Sequence, residues 1–272
     1  MSNTQPLQPK VATFGAESGH WYDSIGRLIL ECPNAKGDKM QATNLRHARK
    51  LQLAPGVTST IKLLHAEQLV QWRIRQAVLA AKTLDQQPDE PDTEYLRRID
   101  NDAATHARDA ANEGTRIHAA LEMHYRGEQH DSTYDSHVQA VSALLLRECG
   151  KDAGWLPESG CIHPWGYGTK ADLVSERVGW LVDFKGVDGD QAALDGKRTY
   201  DSHAMQLAAT RNCIAPELRC AIAYVSRDHP GAVSFVEVPE AELVQGLQIF
   251  RCLLGVWQAK NNYTPSWATG AV

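Results

Sequence analysis

Asp172, Asp183 and Lys185 are the residues of this chain whose types and spacing could do chemistry together. Asp183 and Lys185 flank Phe184 inside Gly179-Trp180-Leu181-Val182-Asp183-Phe184-Lys185-Gly186. This short, glycine-bounded run, rich in Trp, Leu, Val and Phe, reads as a strand. Period two then puts the carboxylate and the ammonium on one face, with Val182 and Phe184 on the other. Burying such charges costs roughly several kcal/mol each unless they are paired or bind a metal. The preceding run Gly168-Thr169-Lys170-Ala171-Asp172-Leu173-Val174 leads into the polar turn Ser175-Glu176-Arg177-Val178-Gly179. A hairpin centred between Arg177 and Val178 sets Asp172 directly opposite Asp183, with Cβ atoms about 5 Å apart. Two facing carboxylates repel unless a cation lies between them. With a lysine beside them they form an oxygen-ligand site of the kind Mg²⁺ or Mn²⁺ prefers. A hairpin that turns its charges outward into water accounts for these residues equally well.

The elements around that hairpin follow from periodicity. Residues 1 to 20 read as a mobile lead-in, and His20 to Leu30 as a hairpin turning at Asp23 to Gly26. Pro55-Gly56 is a turn into a helix with Thr58 or Ser59 as N-cap and Ile61, Leu64, Leu69 and Trp72 among its apolar positions. The Pro- and acid-rich stretch Gln86 to Thr93 breaks that helical region. A further helix runs from about Thr93 through Gly114-Thr115-Arg116-Ile117-His118 to a stop at Gly127. Residues 135 to 149 form an amphipathic helix. After the central hairpin come a helix over Ser202 to Ile214, strands over Arg219 to Ser226 and Ala232 to Val238, and a closing helix over Glu240 to Trp257. The order predicts an α/β domain, a mixed β-sheet core flanked by α-helices, preceded by a mainly helical N-terminal region.

Composition narrows the class. A chain of 272 residues with 43% hydrophobic content suffices for one large core. No apolar run reaches the roughly 18 residues of a membrane helix, and the polar N-terminus lacks the pattern of a signal peptide, so the expectation is a cytoplasmic protein without a membrane partner. The six cysteines, at 32, 149, 161, 213, 220 and 252, contain no CxxC pair. They read as reduced, mostly buried thiols, not as a zinc or iron-sulfur framework. The net charge of −5 argues mildly against nucleic acid, but the charge is uneven. Residues 41 to 82 carry seven cationic side chains, Arg73 and Arg75 among them, against the single acid Glu67. Such a segment could track a phosphate backbone, or be an ordinary solvated helix face. His118 and Glu122, four apart, could form part of a zinc site, but no third ligand stands out. Trp21, Tyr22 and Trp165 suit either base stacking or the core.

Taken in order, Gly114-Thr115-Arg116-Ile117-His118, Glu158, Gly168 to Asp172, Asp183-Phe184-Lys185 and Gln206-Leu207 resemble the motifs of the PD-(D/E)XK nuclease superfamily. The pattern is similar to its RecB-like branch of phage exonucleases and the mitochondrial genome-maintenance exonuclease. The resemblance runs from about Val57 to Gln206, and Gly56 to Ile61 with Trp72 looks like the segment that precedes the nuclease core in those relatives. It implies a restriction-endonuclease-like fold, with a lead-in and hairpin over 1–56 and a nuclease domain over 57–272, divided into a helical subregion (57–112) and a catalytic core (113–272). It also implies metal-dependent DNA cleavage. Carried onto this chain, the resemblance makes Asp172 and Asp183 the principal carboxylate ligands of one or two Mg²⁺ or Mn²⁺ ions. His118, the Phe184 backbone carbonyl and Glu158 are further metal candidates, Lys185 the residue serving water and phosphate, and Gln206 a polar contact near the site. Thr58, Ser59, Arg73, Arg75 and Arg116 are candidate nucleic-acid contacts. No iron-sulfur cluster is expected, because the spacing of clustered C-terminal cysteines found in some members is absent. Thr210 also stands where relatives often place Tyr.

The implied activity is that of a DNA nuclease, an exonuclease acting on linear ends or single-stranded regions in recombination or repair. A phage or prophage origin, a single-strand annealing protein as partner and an oligomeric assembly fit the same resemblance. A non-catalytic DNA-binding or assembly protein keeping the fold, and an RNA-directed nuclease, are the alternatives.

Overall fold

A computed structural model of the protein describes residues 10–11, 19–64 and 67–270. The first elements are β1 (Lys10–Val11), β2 (Trp21–Tyr22), β3 (Ile29–Pro33), β4 (Met40–Ala42), α1 (Leu45–Leu51) and β5 (Ala54–Pro55). Most of the expected lead-in lies outside the described residues. The turn at Asp23 to Gly26 is present, closed by Gly26 N–H donating to the Asp23 carbonyl, and β3 pairs with β4 and β1. Helices α2 (Val57–Ile61), α3 (Glu67–Thr83) and α4 (Asp92–Arg126) follow. The helix at 57 is shorter than its apolar pattern suggests, ending at Ile61, and Leu64 is exposed. Its N-cap is Gly56, not Thr58 or Ser59. Gly56 N–H donates to the His20 carbonyl and Gly56 bridges Gly168, so the backbone is held extended up to Gly56 and turns helical straight afterwards. Helix α4 is one continuous rod of 35 residues that ends at Gly127, whose φ of 74° provides the left-handed cap.

The remaining elements are α5 (Asp135–Cys149), β6 (Leu156–His163), β7 (Tyr167–Ser175), β8 (Trp180–Val187), α6 (Gln191–Asp195), α7 (Asp201–Ile214), β9 (Arg219–Ser226), β10 (Val233–Val238) and α8 (Glu240–Asn261). The central sheet has the order β10-β9-β8-β7-β6. Only its β8–β9 pair is parallel, so the sheet is mixed, as the element order predicts. Helices cover both faces. Ile117, Leu121, Val141, Leu144 and Leu145 of α4 and α5 pack on Leu173, Val182 and Phe184. Leu194, Ala204, Leu207 and Leu243 of α6, α7 and α8 pack on Leu181, Ile222 and Tyr224. Val182 and Phe184 thus face one helical layer, and the strand period sends Asp183 and Lys185 toward the other.

Two features outside the site frame the sheet. At the β10 edge, Gln191 Nε2 donates to the Val233 carbonyl at 2.9 Å while Gln191 Oε1 accepts from Val233 N–H at 3.2 Å. On the other side, Cys161 of β6 and Cys213 of α7 are joined in a disulfide, which corrects the expectation of six reduced thiols. The bonded pair lies 52 residues apart in sequence, so only the packing of α7 on β6 brings it together. Cys32, Cys149 and Cys220 are free and buried, and Cys252 is free and exposed. Among the described residues no helix is long and apolar enough to cross a membrane.

Candidate active site

The β7–β8 ladder pairs Ser175 with Trp180, Val174 with Leu181 and Leu173 with Val182. The next rung would be Asp172 with Asp183, and there the ladder stops. Asp172 takes over the strand's role: its Oδ2 accepts the Phe184 N–H at 2.7 Å. In a strand, the N–H and C=O of one residue leave on the same side. The Phe184 carbonyl therefore also points toward the gap beside Asp172.

On β8, Asp183 is 6% exposed. Its Oδ1 accepts from Gln206 Nε2 of α7 at 2.8 Å, and Lys185 Nζ donates to Gln206 Oε1 at 3.1 Å. Lys185 Nζ also lies 2.8 Å from Asp183 Oδ2, an ion pair. That contact lacks hydrogen-bond alignment, leaving Asp183 Oδ2 buried without a hydrogen bond. One amide thus fixes both charged side chains. From α4, His118 Nδ1 approaches Asp172 Oδ2 to 3.7 Å, and its ring stands edge-on to Phe184. Burial first, and the charge of Asp183 second, push the Asp172 carboxyl above its ordinary value, opposed by His118, Lys185 and the Phe184 N–H. Even so, 17% of the Asp172 side chain reaches solvent, so a ligand can approach it.

Among the described residues no three His, Cys, Asp or Glu side chains are grouped closely enough to hold a metal ion by themselves. The zinc alternative at His118 and Glu122 gains no support, since Glu122 is held by Arg126 Nη2 at 2.6 Å. A hard ion needs less from the protein: Mg²⁺ is usually bound by one or two carboxylates and completes its shell with water and substrate phosphate. The mutually repelling Asp172 and Asp183, the buried Asp183 Oδ2 without a hydrogen bond and the inward Phe184 carbonyl form a donor set of that kind.

Glu158 sits on β6 and is in ion contact with Lys170. Thr58 and Ser59 lie within α2, and Arg73 and Arg75 are exposed on α3. Arg116 is exposed on α4 and pairs with Glu113 at 3.0 Å. Trp21 and Tyr22 are buried, and half-buried Trp165 lies under the Arg251 guanidinium at 5.0 Å. The Thr210 and Thr169 hydroxyls share a hydrogen bond of 2.6 Å in the core.

Sequence reasoning passed over Lys170 as a site residue, although period two puts it on the Asp172 face. It also passed over the part Tyr22 plays. That ring lies against Gly168, where an added Cβ would meet Tyr22 Cγ at 2.4 Å. Burial, then the Asp172 charge, pushes the Tyr22 hydroxyl up.

No protein-family model matches the chain, and no curated protein matches it. Among solved structures, a protein of Eubacterium rectale provisionally named an exonuclease aligns with 55% of this chain and 68% of its own at 12% identity, with a TM-score of 0.40. An alkaline exonuclease of Laribacter hongkongensis aligns with 71% of this chain and 94% of its own at 11% identity, with a TM-score of 0.35. At this level of likeness the geometry of the site, not its neighbours, bears on function.

Proposed function

We propose that this protein is a metal-dependent nuclease of the PD-(D/E)XK type that hydrolyses phosphodiester bonds in DNA, working as an exonuclease in recombination or repair. The observation that carries the reading is the Asp183–Gln206–Lys185 arrangement set against Asp172 where the two strands part. Asp172, Asp183 and the Phe184 carbonyl would hold Mg²⁺ or Mn²⁺, with His118 beside Asp172. The bound ion supplies polarisation of the phosphate, a lowered pKa for bound water and charge neutralisation at the leaving oxygen.

The remaining work belongs to the chain. Gln206 aims Lys185, and the ammonium orients the attacking water and stabilises charge that develops on the phosphate. Buried Asp183 cannot swing away, because the same amide holds it. No covalent intermediate with the protein is needed. Linear ends or single-stranded regions of DNA would be the substrate, with Thr58, Ser59, Arg73, Arg75 and Arg116 as outlying contacts. A phage origin and a single-strand annealing partner belong to the same reading, which the motif order supports.

The test is incubation of the full chain with end-labelled linear and closed circular DNA in Mg²⁺, Mn²⁺ or EDTA, alongside Asp183→Ala and Lys185→Ala. Degradation of linear DNA that requires the metal and falls at least about 10²-fold in both variants is expected. Cleavage in EDTA, or full activity in both variants, would sink the mechanism. DNA binding without cleavage by the unaltered chain would favour the non-catalytic alternative.

A further inference from the structure

Tyr200 closes the loop that leads into α7. It stands at the helix N-cap, where Ser, Thr, Asp or Asn would serve the orphan N–H groups, yet its side chain makes no capping bond. Nor does it belong to the core, since the residue is 41% exposed. Its backbone is nevertheless fixed: the Tyr200 carbonyl accepts the His203 N–H at 2.8 Å and the Ala204 N–H at 3.1 Å. The ring meets the His203 ring edge-on, with centroids 5.1 Å apart. A large aromatic side chain thus stands in solvent on a firm footing, serving neither cap nor core.

Contacts lead from this ring to the candidate active site. His203 Nδ1 lies 3.3 Å from the Tyr224 hydroxyl, which donates to the Arg198 carbonyl at 2.7 Å and so ties the loop to β9. Tyr224 is the partner of Lys185 in the parallel β8–β9 pair, and paired residues of neighbouring strands share a face of the sheet. On α7, His203 precedes Gln206 by three residues, so the two are neighbours on one helix face. Gln206 Oε1 in turn accepts from the Lys185 ammonium at 3.1 Å. Tyr200 therefore borders the site at the start of α7. The local charge suits an anionic strand: residues 197–203 carry Lys197 and Arg198 against the single acid Asp201, and Arg198 is exposed.

We propose that Tyr200, braced by His203, is a stacking platform for an unpaired base of the DNA strand that reaches Lys185. The inference rests on the DNA-nuclease reading above. Every base presents a π-face, so such a contact is strong without reading sequence. Tyr supplies its contact area with few side-chain torsions, so little freedom is lost on binding. Inside a duplex both faces of a base are covered by its neighbours, so the platform takes a base from a frayed or single-stranded end.

Fluorescence anisotropy tests this, using the full chain, Ca²⁺ in place of Mg²⁺ to keep the strand uncut, and two labelled single strands of equal length, one of thymidines and one wholly abasic. Tyr200→Ala should weaken binding of the thymidine strand by about tenfold and leave the abasic strand unaffected. Tyr200→Phe, which keeps the ring, should bind both strands as the unaltered chain does. Equal loss on both strands, or no loss on either, would overturn the inference while leaving DNA recognition standing. Failure of the unaltered chain to bind either strand would overturn it as well, and the linear-DNA assay above then judges the nuclease reading separately. Should Tyr200→Ala lose its native circular dichroism, Tyr200→Leu decides: it keeps apolar bulk without a π-face, and the same selective loss on the thymidine strand is expected.

Discussion

Gln206 touches both Asp183 and Lys185, so its loss frees two groups at once. Gln206→Ala should lower kcat on linear DNA by about 10²-fold through misplacement of those groups, with KM little changed. A change confined to KM would assign Gln206 to DNA binding. Asp172 gives a prediction of opposite sense. Burial and the Asp183 charge raise its carboxyl, so the folded metal-free protein holds this proton more tightly than the unfolded chain does. The resulting penalty is absent below the ordinary carboxyl value near pH 4, grows as pH rises toward the raised value, and is complete above it. Asp172→Asn should therefore raise the Tm of the EDTA-treated protein by about 2–4 °C at pH 8, with the gain shrinking toward pH 4. An equal gain at both pH values would trace to packing. Asp172, Asp183 and Lys185 stand out in the sequence because charges at strand period are costly. Gln206 is legible only through the motif resemblance, since nothing in a polar helix residue announces which strand it meets.

The hairpin shows how far local pattern reaches among the elements. Its register follows from the symmetry of two apolar runs about Arg177 and Val178, and the observed rungs keep that symmetry. What the pattern does not contain is the parting of the strands beyond Leu173 and Val182, because a side-chain carboxylate there replaces a backbone acceptor. The helix start at Val57 is hidden for a related reason: Gly56 is fixed by His20 and Gly168, which are remote in sequence. Gly168 has its own requirement, the ring of Tyr22. Gly168→Ala should cost about 1–3 kcal/mol in urea unfolding, because its Cβ would collide with a buried ring that has little room to move. A loss below about 0.5 kcal/mol would mean that the β2 segment gives way easily.

Across the whole molecule, residues 19–56 and the core share one packing. Trp21 meets Trp257 of α8 at 5.9 Å, and the Tyr263 hydroxyl donates to the Ala48 and Leu53 carbonyls. The disulfide adds a covalent tie between β6, which carries Glu158, and α7, which carries Gln206. By closing a loop of 52 residues it restricts the unfolded chain. Cys161→Ser with Cys213→Ser should then lower stability by about 2–4 kcal/mol in guanidinium unfolding under non-reducing conditions. An unchanged midpoint would show that the packing of α7 on β6 suffices without the bond. Cysteine spacing could not foretell this pair, since a bond between a strand and a helix obeys the fold and not a motif.

The contact between Gln191 and Val233 bears on the life of the molecule among its own copies. Strand β10 ends the sheet, and an exposed edge invites another chain to extend it, which is how sheet proteins clump. The Gln191 amide already makes with Val233 both bonds that a newcomer would offer there, and Gln191 Nε2 is tied to Asp195 Oδ1 at 2.7 Å as well. An incoming strand must break these bonds before it gains any at that position, so recruitment at this end of the edge begins uphill.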